Sequence, residues 1–123
     1  MAQLNKGIVS IPVGGGVYRL TNNGPITAPG QLVFSIPQRG VGRDFSAIFQ
    51  AIGTVSSLTC SLQADLSGLG TNFVDYVVSS AMPSGTAPKV VAASGSTPLI
   101  AGVLYQVNIS VASGSFDLWI DTN

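Results

Sequence analysis

The sequence predicts an all-β fold: a single antiparallel β-sandwich, jelly-roll or Ig-like, of about eight short strands. Three observations predict it. Apolar and polar residues alternate with period two in the clearest segments, 56–66, 103–112 and 115–121. The chain's 15 glycines and 7 prolines cut it into short pieces, leaving little helical periodicity. Between these breaks the pieces are rich in Val, Ile, Thr, Phe and Tyr, which suit a pleated, half-buried surface.

Taken in order, residues 1–30 form a loop-rich arm or a pair of edge strands. Gly14-Gly15-Gly16, Asn22-Asn23-Gly24, Pro25 and Pro29 leave only short apolar runs there, such as Ile8-Val9 and Ile11. Residues 31–123 form the sandwich domain. Short strands are expected at Val17–Leu20, Gln31–Ile36, Phe45–Ile52, Phe73–Ser79 and Ala87–Ala92. The stretch DFSAIFQAIG is read as a strand, because Gly53-Thr54 follows as a turn and the next run alternates cleanly. In 56–66, Leu58, Cys60, Leu62, Ala64 and Leu66 fall on one face. In 103–112, Tyr105, Val107, Ile109 and Val111 share a face, and in 115–121 Phe116, Leu118 and Ile120 do. Ser113-Gly114 between these last runs reads as a tight hairpin turn. One shared core is expected from Leu58, Cys60, Leu62, Tyr105, Val107, Ile109, Phe116, Leu118 and Ile120.

The chain has 123 residues, enough for one domain with its own core. Its single cysteine excludes an intrachain disulfide and a cysteine zinc cluster. There is no histidine, hence no imidazole base and no His-based triad. All five acids are aspartates: Asp44, Asp65, Asp75, Asp117 and Asp121. No catalytic set and no cofactor are expected. Net charge is zero and the basic residues Lys6, Arg19, Arg39, Arg43 and Lys89 are scattered, which argues against nucleic acid as partner. Charged residues are 8 % of the chain, against about 25 % in ordinary soluble domains. With a mean hydropathy of +0.46, this points to a protomer that packs against neighbours as a homo-oligomer, a dimer or trimer. No run approaches the roughly 18 apolar residues of a membrane helix, and the N-terminus lacks a signal-peptide pattern. Synthesis and retention in the cytoplasm until assembly are therefore expected.

The segment SLQADLSGLGTNFVDY, residues 61–76, holds the one candidate for ion binding. A calcium loop needs several closely spaced oxygen ligands and a distal glutamate. Here Asp65 and Ser67 are followed only by Asp75, beyond an aromatic, so no metal site is expected. No lysine follows the glycines, so a phosphate cradle is not expected either. Gly68 and Gly70 read as loop residues that supply backbone angles other residues avoid. Cys60, on the apolar face of its strand, reads as a small buried hydrophobe. The sequon Asn108-Ile109-Ser110 lies within a strand and reads as chance. Trp119 points away from Phe116, Leu118 and Ile120, between Asp117 and Asp121. It could anchor a protein interface, stack on a sugar, or simply be covered by the fold.

The same segment carries a resemblance. Gln63-Ala64-Asp65-Leu66-Ser67-Gly68-Leu69-Gly70-Thr71-Asn72-Phe73 resembles the strand-joining turn of a β-sandwich family of tailed-phage structural proteins, including head decoration (cement) proteins. The lead-in Phe49-Gln50-Ala51-Ile52-Gly53-Thr54 and the later Leu104-Tyr105-Gln106-Val107-Asn108 are similar to its flanking strands. The likeness covers residues 45–120. It departs from the pattern in a longer loop, in Phe73 for the usual tryptophan and in Gln106 where a basic residue is common. It implies a non-enzymatic virion protein that binds the lattice of major capsid protein or another virion protein. The likeness says nothing of the first thirty residues; their own composition makes Ile8, Val9 and Ile11 of the arm the expected attachment points, with Arg39 and Arg43 in their glycine-framed loop, and Trp119 is the next candidate. The competing view of the arm is an edge strand of its own domain. Competing functions are a neck or tail component and a carbohydrate-binding module built on Trp119.

Overall fold

A computed structural model describes residues 3–11, 16–35, 44–75, 85–87, 90–100 and 103–122. Among them there are strands and no helix, and the strands form one mixed sheet. They are β1 (Val9–Ser10), β2 (Gly16–Arg19), β3 (Gly30–Ser35), β4 (Asp44–Asp65), β5 (Val74–Asp75), β6 (Gly85–Ala87), β7 (Val90–Ile100) and β8 (Leu104–Thr122). The all-β reading is right. The arrangement of many short strands is not: β4 has 22 residues and β8 has 19, and these two pair along nearly their whole length. On the free edge of β8 lie β3, at one end, and β2, at the other. On the free edge of β4 lie β5, β6 and β7 in succession. The result is five passes of chain in a curled half-barrel.

Chain connectivity demands the curl. Ile100 pairs with the first residue of β4, Asp44, while Leu104 pairs with the last, Asp65. The chain from Ile100 to Leu104 reaches at most about 14 Å. Laid straight, β4 would be about 70 Å long. The two ends of β4 therefore come together. The core registers the same closure: Phe49, near one end of β4, packs edge-on against Phe34 at 6.1 Å. Phe34 stacks on Tyr105 at 5.6 Å, and Tyr105 pairs with Ala64 near the other end.

Two bulges and two glycines make the bend. Between Val55 and Ser57 the register advances two residues on β4 against one on β8, so Ser56 is the extra residue. Between Thr59 and Cys60 the excess is on β8, at Ser110. A bulge flips side-chain parity and increases twist. Thus Phe49, Ala51 and Val55 face inward before the first bulge, and Leu58 and Leu62 after it. Likewise Tyr105, Val107 and Ile109 face inward before the second, and Phe116, Leu118 and Ile120 after it. This corrects two placements: Val111 is exposed, and Leu66 lies beyond the strand in an exposed loop. Gly53 and Gly114 have φ of 138° and 105°. A Cβ on Gly114 would sit 2.2 Å from the Thr54 carbonyl oxygen, and one on Gly53 would sit 2.6 Å from that of Ser115. Gly53-Thr54 and Ser113-Gly114 are thus bends inside continuous strands, and the sequence reading of both as turns is wrong. The glycine signal is the same in either case, since both uses need positive φ and close backbone approach.

All the expected core residues lie in one cluster, with Cys60 partly buried against it. Across β4 and β8 several inward pairs match large to small, namely Ala51 with Leu118, Gly53 with Phe116, Leu58 with Ala112, Cys60 with Ile109 and Ala64 with Tyr105, while Phe49 with Ile120 and Leu62 with Val107 are large on both sides. The large-to-small pairs keep the layer's thickness even while it bends.

Residues 3–11 do not stand away from the domain. Leu4 N–H donates to Gln31 O, β1 runs parallel to β3, and Ile11 N–H donates to Ser35 O. Where strand pairing lapses, the Asn5 carboxamide takes over, donating to Val33 O and accepting from Val33 N–H. Asn22 does the same for Lys6. Ile11, Leu20 and Ile26 are fully or almost fully buried. Of the expected short strands, Phe73–Ser79 is described only through Asp75, as β5, and residues 88–89 of Ala87–Ala92 lie outside the described residues.

Two measurements test this account. Leu62→Ala should lower unfolding free energy by roughly 2–5 kcal/mol in urea titration, and a smaller loss would mean no packed core there. Gly24 shares the 105° φ of Gly114 but has open space around it. Gly24→Ala should therefore cost about 1 kcal/mol and Gly114→Ala at least about twice that. Equal losses would mean that close approach at Gly114 is unimportant.

Candidate functional site

Two places concentrate polar and exposed apolar groups: the loop after β4 and the outward sheet face around Trp119. In the loop, Asp65 is buried and acts as its organiser. Its Oδ1 accepts from Ser67 N–H at 2.8 Å and from Ser67 Oγ at 2.5 Å. Its Oδ2 accepts from the N–H groups of Gly70, Thr71 and Asn72 at 2.8, 3.2 and 3.2 Å. Ser67 Oγ in turn accepts from Leu69 N–H and Asn72 Nδ2. Gly68 and Gly70 take φ of 73° and 81°, which lets these N–H groups converge. Asp65 and Ser67 therefore serve the loop's own backbone. The side chain of Asp75 lies outside the described residues. Among the described residues no three His, Cys, Asp or Glu side chains gather as a metal site would require.

The Ser67 hydroxyl, with the N–H groups of Asn72, Ser67 and Gly70, outweighs burial and holds the Asp65 carboxyl down to about 2, from 3.8. The folded state thus prefers the carboxylate. The stabilisation is full above the unfolded value and is lost as pH falls toward the folded one. The loop also shows Leu66 and Leu69 to solvent, 86 % and 75 % exposed.

At the Trp119 face, strand register does the assembling. Arg19 of β2 and Gln50 of β4 are the cross-strand partners of Trp119, and Val17 is the partner of Asp121. Paired residues show their side chains on one face. Val17, Gln50, Trp119, Ile120 and Asp121 line a small cavity of about 110 Å³. Asp117, two residues away on the same face, accepts from Thr21 Oγ1 at 2.7 Å. Trp119, Gln50 and Asp121 are half-buried, and Val17 and Arg19 are exposed. The sequence pointed to Trp119 and its two aspartates. It gave no sign of Arg19, Gln50 or Val17, which lie 69 or more positions away in the chain and meet Trp119 only through pairing.

Of the remaining candidates, Ile8 is 54 % exposed and Val9 half-buried, while Ile11 is spent in the chain's own core and has no surface to offer a neighbour. Arg39 and Arg43 lie outside the described residues. Cys60 packs against the core, and burial pushes its thiol up to about 12. A thiol so held is a poor nucleophile. Asn108 is half-buried within β8. No helix among the described residues is long and apolar enough to cross a membrane.

Asp65→Asn should destabilise the chain at neutral pH. The gap between variant and parent should narrow as pH falls from about 4 to about 2. A gap independent of pH in thermal melts would rule out the charge as its source. Cys60 should react with thiol reagents far more slowly at pH 8 in the folded chain than in urea. Equal rates would contradict its packing.

No protein-family model matches this chain, and neither a curated protein nor a solved structure matches it.

Proposed function

We propose that this chain is a non-enzymatic structural protein of a tailed-phage virion, a head decoration protein that binds the lattice of major capsid protein. The observation that carries the reading is the Gln63–Phe73 motif. It resembles the strand-joining turn of that family, and here it joins β4 to β5. Low charge supports the reading, because a chain with 8 % charged residues has little electrostatic protection against association. The outward side chains of β4 and β8, such as Thr54, Thr59, Ser61, Gln63, Asn108, Ser113 and Ser115, are mostly neutral and polar. Such a face meets a neighbour without stripping ions of water.

In this reading the half-barrel belongs to an antiparallel β-sandwich. β4 and β8 pass from one layer to the other at their bulges, as strands do at the corners of orthogonal sandwiches. The protein is made in the host cytoplasm, assembles as a dimer or trimer and ends in the virion. Attachment uses the exposed part of the arm at Ile8, with Arg39 and Arg43. The work is mechanical: apolar surface buried at capsomer junctions resists their separation.

The test is to express a tagged copy during infection, purify virions and image them with a gold-labelled antibody. Label over the head supports decoration, and label over the neck or tail moves the protein to those components. Virions without label would overturn the reading. Deleting residues 1–16 should lower stability, because it removes β1, Leu4, Asn5 and Ile11 from the fold. Ile8→Ser should leave the melting temperature near that of the parent and weaken virion binding. Unchanged binding would remove the arm from attachment.

A further inference from the structure

We propose that the outward face at Trp119 is a glycan-binding site for a single neutral pyranose ring, a role separate from virion attachment. The site has a platform and a polar frame. Trp119 lies on β8, with β2 on one side and β4 on the other, so its row is Arg19–Trp119–Gln50. The half-exposed indole offers an apolar, electron-rich face, which attracts the C–H groups on the flat side of a sugar ring. Gln50 supplies both a donor and an acceptor, and the Asp121 carboxylate supplies acceptors only. Adjacent hydroxyls of a sugar need such a mixture at the edge of the platform. Val17 closes one wall with apolar surface.

The size of the site selects this ligand over two others, an extended glycan chain and a protein partner. A cavity of about 110 Å³ holds part of one ring and is far too small for an extended chain. A stable protein interface covers about 800 Å² per partner, which this row of side chains does not approach. A cation stacked on the indole would meet the Arg19 guanidinium, the direct cross-strand neighbour, and also the Asp121 carboxylate that lines the cavity. Gln50 and Arg19 offer donors that a sugar's hydroxyls accept and an ammonium or guanidinium cannot.

The chain has a single tryptophan, so its intrinsic fluorescence reports this face directly. The full chain is titrated with methyl glycosides of glucose, galactose, mannose and N-acetylglucosamine and with their short oligomers, and in parallel with choline and arginine. The expected result is a saturable change with at least one glycoside, in the millimolar range, and none with the cations. Asp121→Asn and Gln50→Ala should weaken binding at least about tenfold while the far-ultraviolet spectrum and melting temperature hold. Trp119→Phe should retain a weaker site and Trp119→Ala should lose it, both followed by calorimetry. Leu66→Ser, in the distant loop, should bind like the parent. No saturable response to any of these sugars would overturn the proposal, as would a response to choline or arginine alone. Binding unaffected by both Asp121→Asn and Gln50→Ala would also overturn it, because the sugar would then sit elsewhere. None of these outcomes bears on whether the chain is found in virions.

Discussion

Everything in this molecule depends on bringing the two ends of β4 together. The short passage from Ile100 to Leu104 joins a residue paired at the first position of β4 to one paired at its last. A flat sheet cannot satisfy that connection, so the long β4–β8 ribbon has to coil. Coiling demands places where backbone can twist sharply without losing its ladder. Ser56 and Ser110, as extra residues, and Gly53 and Gly114, as residues without a Cβ, supply them. The aromatic contact of Phe34 with Phe49 and Tyr105 then closes the interior.

Curling also decides how each face is used. Among the described residues the inner face collects most of the large apolar groups, many of them in cross-strand pairs of a large side chain with a small one. The outer face carries mostly Ser, Thr, Asn and Gln, beside Ile52, Val111 and Trp119 with its aspartates, and its polar groups share hydrogen bonds across strands, as Gln106 does with Gln63 and Ser57 with Ser113. Few charges are needed on such a surface. Residues 3–11 are recruited to the outer edge of β3 by alternating strand hydrogen bonds and carboxamide bridges. Asn5 and Asn22 act there as substitutes for backbone, which is why this poorly patterned stretch still packs.

The loop that begins at Asp65 shows how one carboxylate can order a turn. Five donors from the next seven residues converge on it, while Leu66 and Leu69 are left exposed. The features that suggested an ion site, a carboxylate among serine, asparagine and glycine, are the features a self-capped turn requires. Trp119 is the opposite case. Its neighbours in sequence described half of its surroundings, and strand pairing supplied the rest.

Local chemistry was legible in the sequence. Period-two alternation identified strands at 56–66, 103–112 and 115–121, and placed eight core residues in one cluster with Cys60 packed against it, because parity over a few residues depends only on the pleat. The loop at Gly68 and Gly70 was equally local. Tertiary structure decided what parity cannot carry across a bulge: that Val111 faces out, and that Gly53 and Gly114 bend strands where they seemed to end them. It also decided that Ile11 belongs to the chain's own core, and that Arg19 and Gln50 flank Trp119. Each of these depends on register between segments distant in the chain. Register is fixed only when the whole sheet closes, so no short stretch of sequence contains it.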